Sequence, residues 1–108
     1  MSKLYEELRM AVLKNDYDAV EKVLLKGVNI NTSDDSGETV LHIAMRIGAA
    51  TNVMQLLDAG ADPNQPDDEG VTPFMAAVNA EKYANASFAM DYKADANFQP
   101  TPQSLPPV

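Results

Sequence analysis

Cysteine is absent from the chain, and so is tryptophan. Without cysteine no disulfide can staple the fold, and thiolate metal sites and thiol catalysis are excluded. Four tyrosines and three phenylalanines are the only aromatics, so a core has to be built from Leu, Val, Ile, Ala and Met. Histidine occurs once, at His42, and one imidazole without cysteine cannot assemble a zinc site. No apolar run approaches the roughly 18 residues that a membrane span needs. The opening "MSKLYEELRM" is charged and lacks the apolar segment of a secretory signal. The expectation is a soluble cytoplasmic protein of one small domain, in which the sequons at Asn31 and Asn85 are chance matches.

Positive charge is the other scarcity. The formal net charge is −8, and residues 27–81 hold nine acids against a single base, Arg46. Residues 1–26 balance five acids with five bases, and residues 82–108 balance two with two. A negative field confined to the middle of the chain repels nucleic acid and anionic membranes, and favours a basic partner.

What the chain does have is repetition. "DDSGETVLHIAMRIGA" from Asp34 and "DDEGVTPFMAAVNAEK" from Asp67 begin 33 positions apart. At that offset Leu8, Leu41 and Phe74 align, as do Ala11, Ala44 and Ala77, then Val20, Val53 and Ala86, then Val23, Leu56 and Ala89, then Leu24, Leu57 and Met90. Gly27 matches Gly60, Gly37 matches Gly70, and Thr39 matches Thr72. Each unit reads as a polar turn with glycine, a short helix rich in small residues, and a second helix with apolar spacing such as Val53, Leu56 and Leu57. Thr39 and Thr72 suit helix N-caps, and Pro73 suits the first helical position. Gly27 and Gly60 suit helix ends. One unit cannot bury its apolar face alone, so the units have to stack.

These residues resemble the ankyrin-repeat family. "GETVLHIA" is similar to the family's Thr-Pro-Leu-His-x-Ala signature with Val40 in place of Pro, and "GVTPFMAA" is similar with Met75 in place of His. "VMQLLDAGADPNQPDDEG" follows the family pattern nearly throughout. The resemblance covers residues 4–97 and implies an all-α, ankyrin-type solenoid of helix-turn-helix repeats with projecting β-turn fingers. It divides residues 1–99 into a first repeat lacking its leading turn (2–33), a complete second (34–66) and a third (67–99) whose second helix is degenerate. In that third repeat Lys93 stands at the terminal glycine position, and Ala86 and Ala89 replace larger residues. Tyr83, Phe88, Tyr92 and Phe98 are expected to refill the space. The Pro-rich tail, residues 100–108, is expected to be extended or to lie along the last helix.

Catalytic and ligand-binding chemistry finds little support. His42 sits three residues after Thr39, at the family's histidine position, where the resemblance implies a structural role. "DDSGETVLHIAM" has Met45 where a calcium-binding EF-hand loop needs its closing Glu. No nucleophile has an activating base beside it, no glycine-rich loop cradles phosphate, and no cofactor is implied. The expectation is therefore not an enzyme.

The resemblance implies a protein-binding surface on the fingers and on one side of each first helix. The implied contact positions are Leu13 and Lys14 in the first repeat, Asp35, Ser36, Glu38, Arg46 and Ile47 in the second, and Asp68, Glu69, Val71, Asn79 and Ala80 in the third. The fingers hold Asp34, Asp35, Glu38, Asp67, Asp68 and Glu69 with no base among them. Behind that rim an apolar patch of Leu13, Ile47 and Ala80 is expected, flanked by Lys14 and Arg46. This predicts a monomeric module that binds a protein with a basic surface, and neither nucleic acid nor membrane. Two narrower readings stand beside it. One is a stoichiometric inhibitor or immunity-type protein of a basic enzyme. The other is a scaffold that self-assembles through Phe88, Met90 and Tyr92 of the third repeat.

Overall fold

A computed structural model describes residues 3–47 and 50–91. Tyr92, Lys93, Phe98 and the Pro-rich segment 100–108 lie outside the described residues. The helices are α1 (Lys3–Leu13), α2 (Tyr17–Leu25), α3 (Val40–Ile47), α4 (Ala50–Asp58), α5 (Pro73–Asn79) and α6 (Tyr83–Asp91). They form three helix pairs, α1 with α2, α3 with α4, and α5 with α6. Successive pairs stack so that α1, α3 and α5 make one row and α2, α4 and α6 a second.

Local chemistry starts and stops each helix. Asp16 caps α2 by accepting the Ala19 N–H at 3.1 Å. Thr72 caps α5 through the Met75 N–H at 3.1 Å, with Pro73 next to it where a missing N–H leaves nothing unpaired. Gly60 closes α4 at φ +97°, with its own N–H on the Leu57 carbonyl at 3.0 Å and the Ala61 N–H on Leu56 at 3.0 Å. That pair of bonds is the Schellman arrangement, which needs a left-handed residue at its turn. The same pattern joins α1 to α2 around Asn15 (φ 55°) and α5 to α6 around Glu81 (φ 61°). Asn tolerates this conformation, whereas Glu adopts it at a cost of about 1–2 kcal/mol.

The aligned apolar positions form one core. Leu8, Leu41 and Phe74 are buried, and so are Ala11, Ala44 and Ala77. The alanines sit in the first row, where small side chains let neighbouring helices seat against one another. Val20, Val53, Leu56 and Leu57 fill the space between the rows. Burying one such Leu or Val side chain stabilises the fold by about 1.5–3 kcal/mol.

The third repeat departs from the expected repair. Ala86 and Ala89 are themselves buried, so α6 seats on the stack through small side chains, and Phe88 adds a partly buried ring. Tyr83 does not refill that space. It opens α6 and is 62 % exposed, lining a shallow hollow with Ala50 and Lys82. Met90 is also exposed, although its aligned partner Leu57 is buried.

Polar groups are buried in the second row as well. Asn52 donates Nδ2–H to Asn15 Oδ1 at 3.2 Å, and Asn85 donates to the Met45 carbonyl at 3.4 Å. Asn52 Oδ1 and Gln55 Oε1 are buried without a hydrogen-bond partner. Each such orphan acceptor costs about 1–3 kcal/mol.

Candidate protein-binding face

The two complete fingers are built on one aspartate each. Asp34 Oδ1 accepts the Ser36 N–H, the Ser36 hydroxyl and the Glu38 N–H, each at 2.9 Å. Asp67 Oδ1 accepts the Glu69 and Val71 N–H groups at 2.9 Å. Backbone bonds close the same loops, from Asp34 N–H to the Glu38 carbonyl at 3.0 Å and from Asp67 N–H to Val71 at 2.9 Å. Burial alone would raise the Asp34 pKa, but the hydrogen bonds from Glu38 and Ser36 outweigh it and hold the carboxyl below its ordinary value. These two acids therefore serve the fold.

The fingers are tied to each other and to the helices beneath. The Asp68 N–H donates to the Ser36 carbonyl at 3.0 Å, joining one tip to the next. Gly37 at φ +80° makes this approach possible, since a Cβ there would lie 2.8 Å from the Asp68 nitrogen. At the base of the fingers, His42 Nδ1 accepts the Thr39 N–H at 3.1 Å. Nε2 consequently carries the ring proton and donates it to the Val71 carbonyl of the next finger at 2.7 Å. His42 is 1 % exposed, so its role is the structural one expected. Tyr5 on α1 does similar work, donating its hydroxyl to the Glu38 carbonyl at 3.0 Å. Burial, followed by the negative fields of Asp34 and Glu38, pushes its pKa from 10.0 to about 12.

The predicted contact residues separate into groups. Asp35, Ser36, Asp68 and Glu69 are exposed on the finger tips. Glu38 does not belong with them as a bare acid. It is partly buried and forms an ion pair with the Arg46 guanidinium, because the turn before α3 sets it beside the last turn of that helix. The fingers themselves hold no base, and the partner of Glu38 comes from the helix beneath. Arg46, Val71, Asn79 and Ala80 come together around a hollow of about 350 Å³, with His42, Asp67 and Ala76 completing its lining. Leu13 and Ile47 are 43 % and 41 % exposed, as an accessible apolar patch requires. Lys14 lines a groove of α1 and α2 that it shares with Lys22 and Asp16.

Sequence reasoning missed Asp67 and Ala76 as parts of the hollow. It also missed Gln55, although a glutamine set among Val53, Leu56 and Leu57 is a visible signal. Among the described residues no group of three or more His, Asp or Glu side chains is placed to hold a metal ion. No helix among them is long and apolar enough to cross a membrane.

The family model for ankyrin repeats, in three copies, matches residues 8–99. The chain is 43 % identical over 74 residues to the Neurogenic locus Notch protein of Drosophila melanogaster, covering 64 % of this chain and 3 % of that protein. It is 36 % identical over 86 residues to the putative ankyrin repeat protein FPV234 of fowlpox virus, covering 71 % of this chain and 20 % of that one. It is 32 % identical over 88 residues to the putative ankyrin repeat protein YahD of Escherichia coli, covering 82 % of this chain and 44 % of that one. The chain thus spans less than half the length of each of these relatives.

Proposed function

The chain belongs to the ankyrin-repeat family, and we propose that it docks a basic protein surface on its finger rim. The family is a non-enzymatic interaction module that binds protein partners, and the six described helices in stacked pairs make the all-α solenoid that this family builds. The finer reading is a monomeric cytoplasmic binder whose acidic fingers steer the partner in. Ile47 and the hollow at Arg46, Val71, Asn79 and Ala80 then receive it.

The division of labour among the finger acids carries this reading. Asp34 and Asp67 are consumed by the turns, and Glu38 by Arg46. Asp35, Asp68 and Glu69 remain exposed, with no ion pair among the described residues. Like charges on adjoining tips repel one another, and a cationic surface relieves that repulsion. An apolar patch behind a charged rim is a common arrangement for protein interfaces.

The test is a pull-down from the source cell, followed by affinity measurement on the captured protein. Changing Asp35→Asn, Asp68→Asn and Glu69→Gln together is expected to weaken binding by about ten-fold or more at low salt. Wild-type affinity is expected to fall as the ionic strength rises toward roughly 0.15 M. Unchanged affinity in the triple variant, or indifference to salt, overturns the finger reading. Inhibition of one basic enzyme is its narrower form, and is expected to show as one dominant captured protein. Self-association is a second reading, favoured by the exposure of Tyr83 and Met90 on the third repeat. A light-scattering mass that stays monomeric across a concentration series removes it.

A further inference from the structure

The second row of helices carries a polar site that shares no residue with the finger rim. Between α2 and α4 lies a notch of about 290 Å³. Leu24 and Ala59 contribute its apolar wall, and Tyr17, Glu21, Asp58 and Gln55 the rest of its lining. Gln55 is 7 % exposed. Its Nε2 donates to the Tyr17 carbonyl at 3.0 Å. That bond fixes the amide's orientation, since turning it over would set two oxygens against each other. Oε1 is left as a buried acceptor with no donor. Glu21 and Asp58 bring two acidic side chains to the lining, and no base is among the lining residues. Tyr17 adds a ring that is half-exposed.

A ligand for this place has to bring several N–H donors, positive charge and a flat face. We propose that the notch takes the guanidinium of an arginine side chain presented by a protein partner. A guanidinium carries five N–H donors in a planar fork. One edge pairs with the Glu21 carboxylate. A further N–H supplies the donor that Gln55 Oε1 lacks, once the amide tilts to bring that buried oxygen to the notch while Nε2 keeps its bond to the Tyr17 carbonyl. The face lies against the Tyr17 ring. A lysine ammonium is a compact, strongly hydrated point charge without that face. A neutral urea group has the shape without the charge. The proposal does not rest on the finger reading, and either can fail alone.

The experiment is a titration of the ¹⁵N-labelled full chain with N-acetyl-arginine methylamide, followed by amide chemical shifts. The matching citrulline and lysine compounds are run beside it. Saturable shifts are expected at the Gln55 side-chain amide and at the Tyr17 and Glu21 backbone amides. The citrulline compound is expected to give none. Glu21→Gln, a change at the helix surface, is expected to weaken the arginine probe about five-fold. Asp35→Asn with Asp68→Asn is expected to leave it unchanged, which separates this site from the fingers. Absence of saturation, equal binding of the citrulline or lysine compound, an unaffected Glu21→Gln variant, or shifts centred on the finger tips each overturns the proposal.

Discussion

The second and third repeats use the same plan with different degrees of closure. In the second, His42 joins its own Thr39 to the next finger, α4 ends on a glycine, and Val53, Leu56 and Leu57 are buried. In the third, Met75 stands at the histidine position, Ala86 and Ala89 stand where the larger residues were, and Glu81 occupies a left-handed turn. The middle repeat has a neighbour on each side, so each of its specific bonds has somewhere to go. In the third repeat, small or merely apolar side chains stand at the matching positions.

Substitutions at matched positions sharpen that contrast. His42→Ala removes two buried hydrogen bonds and leaves a cavity, and is expected to destabilise by about 3 kcal/mol. Met75→Ala, at the equivalent position, is expected to lose about 1 kcal/mol, because Met75 is only partly buried. Urea unfolding midpoints of the two variants check this, and equal losses would erase the distinction between the repeats.

The next effect is one of pH. The folded-state pKa of Asp34 lies below its unfolded value of 3.8. Its contribution to stability is therefore whole above the unfolded pKa and is lost as the pH falls through the folded one. Asp34→Asn is expected to cost about 1–2 kcal/mol at neutral pH and to flatten the acid limb of the stability curve below about pH 4. Thermal unfolding between neutral and strongly acid pH measures both.

The smallest effect is a gain. Glu81→Gly relieves the left-handed turn and is expected to stabilise by about 1 kcal/mol. Asn15→Gly at the matching turn is expected to cost about 1 kcal/mol instead, because it also takes the acceptor from the buried Asn52 Nδ2–H. Calorimetric melting of the two proteins tests the pair.

Much of the scaffold was legible in the sequence, because a repeat states its structural needs more than once. The offset of 33 placed Leu8, Leu41 and Phe74 in one buried line. Thr72 and Pro73 announced the start of α5, and Gly60 the end of α4. The left-handed turn could also have been read, since Asn15, Gly48 and Glu81 share a register and two of the three are types that favour it. The binding face was less legible, since spacing along a helix does not give the reach of a side chain into the preceding turn. That is why the pair of Glu38 with Arg46 was missed. Lys14, expected to flank the apolar patch, lines a groove of α1 and α2, a placement that its spacing in the chain does not announce. Tyr83 was expected to fill space on composition alone, and at the first position of α6 it is exposed.

One backbone bond has consequences for how any partner is met. The Asp68 N–H on the Ser36 carbonyl locks neighbouring tips at a set spacing. The acids they carry then form a ruler rather than a diffuse cloud of charge. A ligand that matches the spacing finds the ordering entropy already spent, and one that does not match cannot coax the tips into its own pattern. Selectivity between two equally cationic proteins would then be a matter of length, measured in steps of one repeat.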